Sequence, residues 1–118
     1  MDISALDFQQ ARIKQVLFKS RLRSVLYGVR EADASLFDIR QNPLGQWLDA
    51  VVKPKYQAPE VYEIERVLQR MLDAGQALVA QYKRGQIEEA RAGLSQIDQH
   101  SDRIELLLQA LERTNSAA

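Results

Sequence analysis

Residues 86–113 read QIEEARAGLSQIDQHSDRIELLLQALER, and this run decides the fold. Within it, Ile87, Ala90, Leu94, Ile97, Ser101, Ile104, Leu108 and Leu111 follow alternating steps of three and four residues. That spacing returns side chains to one side of a 3.6-residue helix. Kept up without a slip, it is a heptad seam and predicts a long helix, from about residue 86 to 113, packed along a partner helix. The partner lies immediately before it. Residues 59–83 carry Val61, Ile64, Leu68, Met71/Leu72, Gly75, Leu78 and Tyr82 at helical spacing, and Gly85 is the residue type favoured just past a helix end. So short a connection predicts an antiparallel hairpin of the third and fourth helices.

Working back toward the N-terminus, residues 4 to about 31 also read as helix. One stripe passes through Phe8, Ala11, Gln15, Phe18, Leu22, Val25 and Val29, and a second through Leu6, Ile13, Leu17, Ser20 and Ser24. Two stripes imply a helix covered on two sides, deep in a bundle or against another subunit; a single broad apolar face is the alternative reading. Residues 33–52 are denser in turn signals and read as two short helical pieces separated by Arg40-Gln41-Asn42-Pro43. Asn42 is suited to cap the second piece, with Pro43 at its first position, where a missing N–H costs nothing. Pro54 and Pro59 disfavour helix in the residues before them, so 53–59 is a loop and Pro59 opens the third helix. Nothing in residues 115–118 gives a reason for order. The expected fold is all-α: an antiparallel four-helix bundle with short helical segments between the first and third helices, as one domain over 1–118 with an ordered core of about 4–113.

The composition suits that fold. Of the 118 residues, 46% are apolar and 27% charged, with 5 glycines and 3 prolines, a packed profile and not a disordered one. Formal net charge is +0, with nine Lys/Arg against six Asp/Glu in residues 1–57 and seven against ten in 58–118. The imbalance is too weak for the concentrated basic stripe that nucleic-acid binding needs. Self-association of complementary halves is compatible with it. The chain has no cysteine, which excludes a disulfide framework, a thiolate nucleophile and sulfur ligation. Its start lacks the pattern of a signal peptide, and no apolar run is long enough to span a bilayer. A cytoplasmic protein without membrane insertion is expected.

Catalytic constellations are scarce. His100 is the one histidine and flanks the seam; its ordinary role is a solvated or interface-edge side chain. The carboxylate pairs Glu88/Glu89 and Asp98/Asp102 sit where a heptad helix faces solvent. No serine stands in a nucleophile elbow, and neither GxxxxGK nor GxGxxG occurs, so nucleotide binding has no support. Lys14, Lys19, Arg21 and Arg23 on the first helix form the best candidate docking surface. Solvation is the ordinary explanation for such charges.

Several of these stretches together resemble a known family. They are Ala11-Arg12-Ile13-Lys14-Gln15-Val16-Leu17-Phe18-Lys19-Ser20-Arg21-Leu22, Asn42-Pro43-Leu44-Gly45-Gln46-Trp47, Glu65-Arg66-Val67-Leu68-Gln69-Arg70-Met71-Leu72 and Ser101-Asp102-Arg103-Ile104. Over about residues 8–112 the chain resembles the chemoreceptor zinc-binding domain family. That family is a four-helix bundle, often dimeric, found on bacterial chemoreceptors and diguanylate cyclases, with zinc held by three histidines and one cysteine. Its most specific motif, Cys-x-Leu-Gly-x-Trp, is met here at Leu44, Gly45 and Trp47. The ligand positions depart from the pattern: the resemblance puts the first-helix histidine on Gln15, the cysteine on Asn42 and the His-x-x-x-His pair on Leu68 and Leu72. Zinc takes imidazole, thiolate or carboxylate at about 2.0 to 2.3 Å, and neither amides nor leucines replace them.

The resemblance therefore implies a family member without metal or other cofactor. Leu68 and Leu72 would fill the site with hydrocarbon, each worth roughly 1.5 to 3 kcal/mol when fully buried. Gln15 and Asn42 would need partners if buried; they either pair with each other or leave Asn42 capping its helix and Gln15 reaching water. The expected function is a non-enzymatic bacterial signalling module acting by protein–protein contact. A homodimer is expected, with chemotaxis-type receptors or cyclic-di-GMP signalling proteins as partners, and an adaptor or antagonist fits better than a sensor. The alternative is a small-molecule binding module whose pocket is lined by Gln15, Asn42, Trp47, Leu68 and Leu72.

Overall fold

The computed structural model describes residues 3–117, all of whose regular structure is helical. The α-helices are α1 (Ala5–Leu26), α2 (Pro43–Trp47), α3 (Pro59–Lys83), α4 (Ile87–Ala92) and α5 (Leu94–Ala117). Two 3₁₀ turns, Ala34–Phe37 and Ile39–Gln41, precede α2, and a π-helical turn, Leu48–Val52, follows it. The two short helical pieces expected within 33–52 are thus four brief turns. Each of the first three has its own side-chain cap, from Asp33, Asp38 and Asn42 in succession.

Helix α1 starts in a capping box, where the Ser4 hydroxyl accepts from the Asp7 amide and the Asp7 carboxylate accepts from the Ser4 amide. It ends at Leu26, five residues short of the expected boundary. Gly28 takes a φ of 74°, which only glycine adopts without strain, and the chain turns away. Val29 is consequently 78% exposed and does not belong to the inner stripe. The freed carbonyl of Leu26 accepts a 2.8 Å hydrogen bond from Arg91 Nε, and the same guanidinium lies 4.2 Å from the centre of the Tyr27 ring.

Cross-links fix the relative direction of the long helices. Arg12 reaches Glu105 and Glu112, Gln15 meets Ser101, Lys19 pairs with Asp98, and Leu26 meets Arg91, so α1 and the α4–α5 segment run in opposite directions. Gly75 of α3 sits beside Phe18 and Leu22 of α1. Helix α3 keeps its expected bounds and buries every expected inward residue except Tyr82, which is half-buried. The seam of the last helix is interrupted at Gly93, against Leu78. Ile87 at its start is exposed and Leu94 half-buried, while Ile97, Ser101, Ile104, Leu108 and Leu111 are buried.

The core is one continuous cluster containing Phe8, Leu22, Leu44, Leu48, Ile64, Leu68, Met71, Leu72, Ile104 and Leu108. Residues 115–117, expected to be irregular, continue α5; Ala118 lies outside the described residues. No glycine or proline stops the helix there, and Asn115 Nδ2 donates to the Ile3 carbonyl at 2.9 Å, tying the two ends of the chain together. Among the described residues no helix is long and apolar enough to cross a membrane.

Candidate functional site

The turn at Asn42 is built around one side chain. Asn42, 6% exposed, uses Oδ1 to accept from Leu44 N at 2.9 Å and Gly45 N at 3.2 Å, satisfying two amides at the start of α2. Leu44 then points fully into the core. Gly45 is required by a close approach, because a Cβ there would collide with the carbonyl oxygen of Ile39 in the preceding 3₁₀ turn. Trp47 is 4% exposed and meets Phe8 of α1 edge-on, with ring centres 5.7 Å apart at 70°. Its indole Nε1 is buried without a hydrogen-bond partner among the described residues. Beyond it, Lys53 pairs with Asp49 at 2.8 Å and with Glu65 of α3, clamping the end of the π-helical turn to α3.

The expected Gln15–Asn42 amide pair does not form, and Gln15 does not reach water. Gln15 is 4% exposed, and its Oε1 accepts from Ser101 Oγ of α5 at 2.8 Å. Asn42 was free to spend its oxygen on its own helix because the seam supplied Gln15 with a hydroxyl. Ser101 is the site residue that sequence reading undervalued. It stands alone as a polar member of an otherwise apolar seam, a signal that a buried partner faces it. Leu68 and Leu72 are completely buried in the shared core.

These placements bear on metal and ligand chemistry. Among the described residues no three His, Cys, Asp or Glu side chains come together as a metal cluster. His100, next to Ser101 in the chain, is half-buried and belongs to no cluster of three such side chains among the described residues. Gln15, Asn42, Trp47, Leu68 and Leu72, the residues expected to line a pocket, are all buried, between 0 and 6% exposed. The recess that does adjoin Asn42 has a volume of about 90 Å³ and opens on another side, toward Arg21, Arg30, Glu31 and Asp33. Hydrogen bonding from Ser35, first from its side chain and then from its backbone N at 2.7 Å, with a lesser contribution from Arg30, holds the Asp33 carboxyl there below the ordinary value.

The four basic residues of the expected docking surface do not form one patch. Lys19 is paired with Asp98 on the α5 side, and Arg23 lies 5.6 Å from the Tyr27 ring centre. At about 100° per residue, Lys14 and Arg21 fall on the far flank of α1; neither makes an ion pair among the described residues. Between the two flanks runs the second stripe, in which Leu17 is half-buried beside the 30–43 segment while its N-terminal part is left exposed among the described residues. Leu6 is 60%, Ile13 61% and Val16 47% exposed.

No family model, curated protein or solved structure matches this chain.

Proposed function

We propose that the chain is a zinc-free relative of the chemoreceptor zinc-binding domains, a non-enzymatic signalling module of the bacterial cytoplasm that acts by protein–protein contact. In this reading its helices keep the family's antiparallel four-helix bundle, and its partners are a second copy of the chain and chemotaxis-type receptors or cyclic-di-GMP signalling proteins. The observation that carries the reading is the state of the four positions where the family places its ligands. Leu68 and Leu72 are sealed in hydrocarbon, Gln15 is engaged by Ser101, and Asn42 is engaged by its own helix start. All four have a structural role that needs no metal. The uncovered apolar side of α1 supports contact with another protein over catalysis in a cleft.

Metal analysis tests the first half of the proposal. The purified chain dialysed against chelator is expected to hold no zinc and to melt at the same temperature with and without added zinc. Stoichiometric retained zinc would overturn the reading. The second half is tested by mixing the chain with purified chemoreceptor or diguanylate cyclase zinc-binding domains and measuring association by calorimetry. Heat of binding saturating at a defined stoichiometry is expected, and its absence with both classes removes these partners.

A further inference from the structure

The outer face of α1 has the pattern of one half of a two-helix seam. Leu6, Gln10, Ile13, Leu17, Ser20 and Ser24 are spaced 4-3-4-3-4, and at about 100° per residue they fall within about 80° of one another on the helix. The core residues Phe8, Ala11, Gln15, Phe18, Leu22 and Val25 occupy the opposite side. Leu6 and Ile13 are mostly exposed, Leu17 is half-buried, and Val16 on the flank is exposed. Solvent-facing positions on a helix gain nothing from three large aliphatic side chains in register, whereas a packed seam does.

The charges beside the seam specify the occupant. One flank carries Asp7, Lys14 and Arg21, seven residues apart, and the other carries Gln9, Val16 and Arg23. In a parallel pair of identical helices the two flanks meet each other, which sets Gln9 against Lys14 and Val16 against Arg21 and brings no opposite charges together. In an antiparallel pair, flanking positions meet their own kind across the two-fold axis. Asp7 then faces Arg21 of the second copy, twice by symmetry. The seam layers become Ile13 against Leu17, Gln10 against Ser20 and Leu6 against Ser24. Val16 meets its own copy near the axis, and so does Lys14, the one like-charge contact.

We infer that the chain self-associates through antiparallel pairing of the outer faces of α1, centred between Ile13 and Leu17. This rests on the proposed protein–protein function and assigns it a surface, a partner and a register. From Leu6 to Ser24 the contact is about 27 Å long, and with three large aliphatic residues per copy it is a modest, concentration-dependent interface.

Because the chain has no cysteine, single introduced cysteines read the geometry directly. Under oxidation, Val16→Cys in the full chain is expected to form a covalent dimer, and Ser24→Cys, remote from its own copy, is not. The double variant Leu6→Cys, Ser24→Cys is expected to cross-link between copies. Cross-linking of Ser24→Cys as efficient as that of Val16→Cys would show a parallel pair or random collision and overturn the inference. Sedimentation equilibrium supplies the second readout. Ile13→Asp is expected to weaken the dimer at least tenfold while leaving the circular dichroism spectrum unchanged, since Ile13 touches no core residue's place. A wild-type chain that stays at 13.5 kDa at high concentration also overturns it. If the protein is monomeric and metal-free, the α1 pairing and the second copy as a partner fail while the zinc-free reading stands; if it is dimeric and zinc-loaded, the pairing stands and the zinc-free reading fails.

Discussion

Both sides of α1 carry large aliphatic or aromatic residues at helical spacing, and the two have different fates. On the inner side, Phe8, Ala11, Phe18 and Leu22 are 0 to 2% exposed, and even the polar Gln15 is drawn inside by a hydroxyl on α5. On the outer side, Leu6 and Ile13 stay about 60% exposed, covered by no element among the described residues. The difference teaches that a stripe's hydrophobicity reports that something covers it, but not whether the cover is the same chain. The inner stripe stabilises the fold; the outer one is available for association.

That contrast can be broken most forcefully from the inner side. Leu72→Ala is expected to destabilise the fold by about 2 to 5 kcal/mol, as for other fully buried leucines, measured by urea denaturation at a protein concentration where the chain is monomeric. Gly45→Ala comes next, at about 1 to 3 kcal/mol, because the new methyl meets the Ile39 carbonyl and the turn has to shift. A loss below the error of the same measurement would show that the turn yields freely.

Gln15→Ala sharpens the polar exception. It strands the buried Ser101 hydroxyl and is expected to cost about 1 to 3 kcal/mol. Adding Ser101→Ala should recover part of that loss in a double-mutant cycle, since the orphaned group is gone. On the outer side, Ile13→Ser is expected to change monomer stability by less than about 0.5 kcal/mol. A loss comparable to that of Leu72→Ala would erase the distinction between the two faces.

The smallest effect concerns acid. The Asp33 carboxyl, held below its ordinary value of 3.8 by the hydrogen bond from Ser35, favours the folded state above that pH and loses this contribution as pH falls through its lowered folded value. Asp33→Asn should therefore leave stability near neutral pH almost unchanged and flatten its decline below about pH 4. A chemical-denaturation series across that range checks the sign.

Much of the fold was legible because its causes are local. The bounds of α3 follow from Pro59 and Gly85, and the caps of α1 and α2 follow from Ser4 and Asn42. The misses arose where tertiary contacts prevail. Gly28 ended α1 early because its turn is braced by Arg91 from another helix, and Asn115 was held in α5 by the Ile3 carbonyl. At the candidate site, the sequence singled out Gln15, Asn42, Leu68 and Leu72 but not the partner of Gln15. A hydrogen bond between residues 15 and 101 leaves no local trace beyond one serine in an apolar seam.

By itself the sequence determined that the chain is helical, where most helices begin and stop, which faces are apolar, and that no cysteine is present for sulfur chemistry. Those properties depend on backbone preference, side-chain spacing and composition, which act within a few residues. Only the tertiary structure decided that Asn42 serves its own turn, that Gln15 belongs to Ser101, that the four basic residues of α1 are split between two flanks, and that one of its two apolar stripes is left exposed in its N-terminal part. Each of these depends on which segments, far apart in the sequence, meet in the folded chain.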